Sequence, residues 1–154
     1  EDFHADIFAF LDSDDMYMPG KLSKSVGYFT RFPEHTGAVY SDYDTLRTDG
    51  LRVREWKEPF SRLRLMRDCI VNCDSLVSRE AIRVCDGFDE EMRTCEDYDL
   101  WMRISERFLL FHVPEALVTI RVGEHSSSAT IQKEVWQKNW QRVMAKAQMR
   151  ASQK

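Results

Sequence analysis

Cysteine is scarce and poorly spaced for either of its structural uses. Four occur in 154 residues, at Cys69, Cys73, Cys85 and Cys95. The spacing fits neither paired C-x2-C zinc ligands nor a dense disulfide framework. They read as small buried side chains in a reducing, cytoplasmic setting, with Cys69–Cys73 the one bridge that would be open to oxidation. Long apolar runs are missing: none approaches the roughly 20 residues that span a bilayer. An excess of either charge is missing too. Lys and Arg total 22 against 26 Asp and Glu, a formal net charge of −4, which removes the global electrostatic reason to bind nucleic acid. No basic patch interleaved with aromatics argues otherwise. Internal repeats and low-complexity tracts are also lacking. What remains is ordinary: 43% apolar and 31% charged residues, enough for the packed core of one soluble domain.

The pattern along the chain alternates strands with helices, which predicts an α/β fold. Asp6 to Leu11 is a short apolar run bounded by acids and reads as a buried parallel strand. Such a strand needs neighbours on both sides, so the chain is expected to begin partway through a domain. Pro19 suits a helix start, Leu22, Val26 and Phe29 recur at helical spacing, and Phe32-Pro33 ends the helix. Residues 37–42 read as a second buried strand, Thr48-Asp49-Gly50 as a turn, and the charged stretch to Pro59 as surface loop. Phe60, Leu63, Met66 and Ile70 fit a short helix. A strand over Asp74 to Ser78 follows, with Ser78 capping a helix from Arg79 to about Val84. Asp86 to Asp89 is a turn, and Tyr98, Trp101, Met102 and Ser105 share one helix face. Two strands, 108–113 and 116–121, flank Pro114. From about Thr130 the chain is one long amphipathic helix whose stripe is Ile131, Val135, Trp136, Trp140, Val143, Met144 and Ala147. That stripe is expected to pack on its own domain, and Trp136 and Trp140 are the place to look for a partner or membrane contact.

Two clusters carry chemistry. Asp12-Ser13-Asp14-Asp15 directly follows the first strand, and ligands in open α/β sheets bind at the carboxyl ends of strands. Three carboxylates in four residues repel one another, and hard oxygen donors suit Mg²⁺ or Mn²⁺, which can in turn hold a diphosphate. An EF-hand is excluded because Met16 and Tyr17 stand where further ligands and a glycine are needed. A solvated acidic turn that caps the next helix is the plainer alternative. The second cluster is Glu96-Asp97-Tyr98-Asp99 at a helix start. Its acids complement the macrodipole, or one of them serves as a general base aimed into a cleft. Spacing alone leaves both alternatives open.

Taken together, the segments carry a resemblance. Phe10-Leu11-Asp12-Ser13-Asp14-Asp15 with Pro19 and Lys21-Leu22 closely resembles the D-x-D segment of family 2 glycosyltransferases of the GT-A fold. Val39-Tyr40-Ser41-Asp42-Tyr43 followed by Asp49-Gly50 looks like the family's next strand and turn. Arg79-Glu80 and Gly87-Phe88-Asp89-Glu90 resemble its (R)RE…GGFDE segment, and Glu96-Asp97-Tyr98-Asp99-Leu100-Trp101 resembles its ED-Y-D-L-W motif. The likeness spans about residues 6–128 in the family's order and spacing.

The resemblance implies a GT-A mixed sheet flanked by helices, truncated at its N-terminus, over residues 1–128, with 129–154 as a helix packed on it. The family's opening strands, which hold the nucleotide base and much of the diphosphate, have no counterpart here. An open sheet edge would then invite a homodimer or strand exchange. The implied activity is an inverting, metal-dependent transfer from a nucleotide-diphospho-sugar donor, a UDP-sugar foremost, to a glycan or lipid-linked acceptor. By the same likeness, Asp14 and Asp12 bind the metal, Asp12, Asp14 and Asp15 hold the donor, with Asp15 supporting the donor sugar or the loop, Asp97 is the general base with Glu96 as its catalytic neighbour, and Glu96 and Trp101 bind the acceptor. Such enzymes work beside the inner membrane leaflet, so peripheral membrane association is an expectation. One departure concerns the family's Arg-x-His element: Arg121-Val122-Gly123 places Gly at the His position, and His125 is either the substitute metal ligand, reached by a two-residue shift of the loop, or an exposed loop histidine. The competing expectation is a catalytically incomplete fragment that serves only as a binding or assembly module. A nucleotidyltransferase would leave the second acidic motif without a role.

Overall fold

A computed structural model describes residues 5–123 and 131–153. It contains a mixed sheet flanked by helices. The elements in chain order are β1 (Ile7–Ala9), β2 (Met16–Tyr17), α1 (Lys21–Arg31), β3 (Thr36–Arg47), β4 (Arg52–Glu55), α2 (Arg62–Leu65), β5 (Leu76–Ser78), α3 (Arg79–Val84), α4 (Glu96–Ile104), β6 (Leu109–Val122) and α5 (Lys133–Ser152). The strand order is β1-β5-β3-β6-β2, with β4 added to the far half of β3. Among the described residues only β3 and β6 pair in parallel, and the other pairings are antiparallel.

Strand β3 is the spine of the sheet, and its alternation divides the core in two. Ala38 and Tyr40 face a large cluster with Leu65, Val77, Tyr98, Trp101 and Ile104. Val39 faces a smaller one with Phe29, Leu76, Val113 and Leu117. The cap at α3 is local: Ser78 Oγ accepts the Ala81 N–H at 3.1 Å. At the start of β3, Gly37 sits in a bulge where β3 runs one residue ahead of β6. A Cβ there would stand 2.5 Å from Ile104 Cγ2 and 2.6 Å from Phe108 Cβ. Gly37→Ala is therefore expected to lower stability by about 1–3 kcal/mol through overpacking, read as a lower urea midpoint at unchanged slope.

Four expectations are corrected. Strand β1 is not a central parallel strand: it pairs antiparallel with β5 at one end of the sheet and is only partly buried. The stretch after residue 47 is a hairpin rather than loop, because Arg52 and Arg54 meet the buried Asp44 across the β3–β4 ladder, Arg54 Nε at 2.5 Å. Its turn is closed by Gly50 at φ 83° and by Asp49 Oδ1 accepting the Leu51 N–H. The two strands around Pro114 are one, β6. Between the pairs Ser41↔Val113 and Asp42↔Ala116, Pro114 and Glu115 are extra residues, so proline sits in a bulge where no ladder N–H is required. In α1, Leu22 and Val26 are exposed, and the buried stripe is Lys21, Ser25 and Phe29.

The far half of α5 docks by both apolar and charged contacts. Val143 and Ala147 join the main core, with Trp140 and Met144 packed against it. Lys146 Nζ lies 2.8 Å from carboxylate oxygens of both Asp89 and Asp99, and Arg150 Nε donates to Glu106 at 2.9 Å. No helix among the described residues is long and apolar enough to cross a membrane.

Candidate functional site

Because β1 and β2 lie at opposite ends of the sheet, the segment between them must cross from one edge to the other. That crossing is the acidic run. It is tied down at each end: the Phe10 N–H donates to Ser75 O at 3.3 Å, and the Met18 N–H to Leu117 O at 2.9 Å. Between these anchors the Asp15 N–H closes a turn onto Asp12 O at 3.1 Å. Asp15 Oδ1 accepts the Arg121 N–H at 2.8 Å, which leaves Asp12 and Asp14 exposed. The sheet topology thus fixes the loop, and two of its three carboxylates face solvent.

Across from them stands the N-terminus of α4. Asp97 Oδ1 accepts the Tyr98 N–H, one of the free donors of the first helical turn, at 2.7 Å. The same carboxylate also lines a cleft of about 450 Å³ together with Asp12, Asp14, Asp15 and Glu96. Arg93 and Arg121 contribute cations to the lining, and Cys73, Ile131 and Trp136 complete it. Two motifs more than 80 residues apart in sequence therefore share one cavity.

The electrostatics follow from burial and from crowding of like charge. Burial pushes Asp97 up to about 6, opposed by the Tyr98 N–H and helped by the charges of Glu96 and Asp12. Asp15 is likewise pushed up to about 6, first by burial, with Asp74, Asp14 and Asp12 adding repulsion and the Arg121 N–H opposing. An excess of negative charge against buried carboxylates is the environment a divalent cation relieves. Among the described residues no three His, Cys, Asp or Glu side chains gather closely enough to hold a metal by themselves. Mg²⁺ is commonly held by one or two carboxylates together with substrate phosphates, and exposed Asp12 and Asp14 fit that mode. His125, the other expected ligand, lies outside the described residues.

Trp101 is corrected. Its side chain is fully buried in the main cluster and has no surface to offer an acceptor. The rest of its motif divides the same way. Tyr98 is buried with its hydroxyl on Leu65 O at 2.5 Å, and Asp99 is locked between Arg103 and Lys146, each at 2.8 Å. Glu96 and Asp97 alone reach the cleft.

Beneath the acidic loop lies a polar layer that the sequence reading passed over. Cys73 Sγ stands 3.7 Å from Asp12 Oδ2 and 3.7 Å from Asp74 Oδ2. Asp74 is fully buried, and its carboxyl is raised by burial and then by Asp12, with Lys21 opposing. Lys21 is 1% exposed and donates to Ser41 Oγ at 3.0 Å. Burial lowers it to about 8 against the attraction of Asp74 and Cys73. The readable signal was polar residues at positions 21 and 25 in register with Phe29. No family model matches the chain, and no curated protein matches it.

Proposed function

We propose that the chain is an inverting glycosyltransferase domain of GT-A type that moves a sugar from a nucleotide-diphospho-sugar, a UDP-sugar foremost, to a hydroxyl of a glycan or lipid-linked acceptor. The observation that carries the reading is the single cleft lined by Asp12, Asp14 and Asp97 together. The order and spacing of the motifs in the sequence support it independently.

In this reading Asp12 and Asp14 would hold a Mg²⁺ or Mn²⁺ ion together with the donor diphosphate, and such an ion would supply positive charge where the leaving phosphate oxygen gains negative charge. Arg93 and Arg121 add cationic lining to the same cavity. Asp15, spent on the Arg121 N–H, holds the loop in place. Asp97 takes the proton of the acceptor hydroxyl from about 2.6–3.2 Å, and Glu96 orients the acceptor beside it. The freed oxygen forms a bond to the anomeric carbon from the face opposite the diphosphate. The bond from that carbon to phosphate oxygen breaks, its electron pair leaves with the nucleoside diphosphate, and the configuration inverts. A base near 6 is ionised at neutral pH yet more basic than an ordinary carboxylate.

Thermal unfolding with a panel of nucleotides tests the reading. A ligand bound only by the folded state stabilises it by RT ln(1 + [L]/Kd), about 2.7 kcal/mol at a hundredfold excess over Kd. UDP with Mn²⁺ is expected to raise the midpoint by several degrees, and UDP with chelator or uridine with Mn²⁺ is expected not to. Equal midpoints for all of them, or a rise with Mn²⁺ alone that UDP does not extend, overturn it.

A further inference from the structure

We infer that the first turns of α5 add a sugar-binding subsite to the cleft, with the indole of Trp136 as its floor. The inference rests on the proposed transferase reading only for the role of that sugar, as the acceptor ring. The subsite itself stands on geometry.

The apolar stripe of α5 runs out of the core and into the cleft. Val143 and Ala147 are buried, and Trp140 is packed against the same cluster. One turn earlier, Trp136 is 48% exposed and lines the cavity that holds Asp97. Its position is set from both sides. Trp136 O lies 3.9 Å from the thiol of Cys95, the residue that precedes α4. One turn on, Asn139 Nδ2 donates to Thr94 Oγ1 at 2.6 Å. Farther along, Arg142 and Lys146 hold α5 to Glu91 and Asp89. The indole is thus carried on a helix pinned to the very segment that ends in Glu96 and Asp97.

The chemistry of that corner is mixed. The indole of Trp136 shares the lining with Arg93, Thr94 and Glu96. A flat apolar ligand would leave those polar groups without partners, and a purely ionic one would leave the indole wet. A pyranose ring answers both. Its C–H face carries the partial positive charge that the face of an aromatic ring attracts, and its rim of hydroxyls suits the carboxylate, guanidinium and hydroxyl around it. Of the four tryptophans, Trp101 is buried and Trp140 packs on the core. Trp136 is the one that lines this cavity. The uracil of a donor is the other flat group that an indole attracts, and the test separates the two.

The test follows the indole N–H resonances of the ¹⁵N-labelled chain, with Trp136 assigned through Trp136→Phe. The probes are methyl β-D-glucopyranoside, methyl β-D-galactopyranoside and methyl N-acetyl-β-D-glucosaminide, and separately uridine and UDP with Mg²⁺. The Trp136 resonance is expected to shift saturably with at least one glycoside while that of Trp101 stays. Trp136→Ala is expected to weaken that binding about tenfold or more, and Trp136→Phe to keep most of it. Folding is checked by the unchanged Trp101 resonance. A Trp136 shift with uridine and with no glycoside, or no shift with any probe, overturns the subsite. A glycoside shift without any response to UDP and Mg²⁺ keeps the subsite and sinks the transferase reading. The reverse pattern does the opposite.

Discussion

Asp97→Asn is expected to cut sugar transfer by 10²-fold or more and to leave metal-dependent UDP binding where it was, because a general base contributes typically 10²–10⁴-fold. Asn keeps the oxygen that accepts the Tyr98 N–H, so the helix start survives the change and only the proton acceptor is lost. The pH dependence follows from the same carboxyl. Activity of the unmodified domain is expected to climb as pH passes through about 6, where Asp97 ionises, and the Asn variant is expected to lose that limb. Stability moves the other way. The folded-state value lies above the ordinary 3.8, so the folded chain holds this proton longer than the unfolded one. The contribution is fully present below about pH 4 and is lost as pH rises toward 6. At pH 7 the Asn variant is expected to be more stable than the parent by roughly 1–3 kcal/mol. A variant with near-normal turnover would put the base elsewhere, and a variant that is less stable at pH 7 would contradict the buried-carboxylate account.

Asp14→Ala is expected to abolish Mn²⁺-dependent binding of UDP. Without the ion, a diphosphate entering the cleft meets Asp12, Asp15, Glu96 and Asp97 directly, and like charge repels it. Asp14 is exposed, so its removal is expected to change stability by no more than about 0.5 kcal/mol. Loss of binding would therefore be a loss of ligation and not of fold. Undiminished UDP affinity in this variant would refute the assignment. Asp15 offers the contrast: it anchors the loop on the Arg121 N–H, so Asp15→Ala is expected to weaken binding by loosening the loop and to leave the ion's direct ligands in place.

What could be read from the sequence was whatever is encoded locally. The Ser78 cap, the extent of α3, the start of α4 and the stripe of α5 all depend on residues within a few positions of one another, and each was legible. Placement across the sheet was not. The run around Ile7 looks like a central strand because three apolar residues in a row satisfy that pattern. Which neighbour it pairs with is set by residues 76–78. Arg52 and Arg54 look like loop because two arginines in a short run suggest solvent, and Asp44 eight and ten positions away supplies their partner. Pro114 looks like a break because a bulge cannot be told from a boundary without the opposing strand.

The same division runs through the site. The acidic loop and the start of α4 were visible as motifs because their chemistry is contained in four to six consecutive residues. Trp101 was misjudged because its neighbours in sequence are site residues, whereas helical geometry turns it five positions on from Glu96 into the core. Lys21 and Asp74 were passed over because a buried Lys and a buried carboxyl 53 positions apart make sense only once β3 brings them beneath one loop. Trp136 was marked as a contact residue, and only the packing of α5 on the Thr94–Cys95 segment turns it toward the cleft.

The donor site proposed on the acidic loop works through a divalent cation held by Asp12 and Asp14. Calorimetric titration of the chain with UDP, in Mn²⁺ and again in excess chelator, tests it most directly. Saturable one-to-one binding is expected in Mn²⁺, with at least a hundredfold loss of affinity, about 2.7 kcal/mol, when the ion is removed. No heat in either buffer, or equal affinity in both, would contradict it.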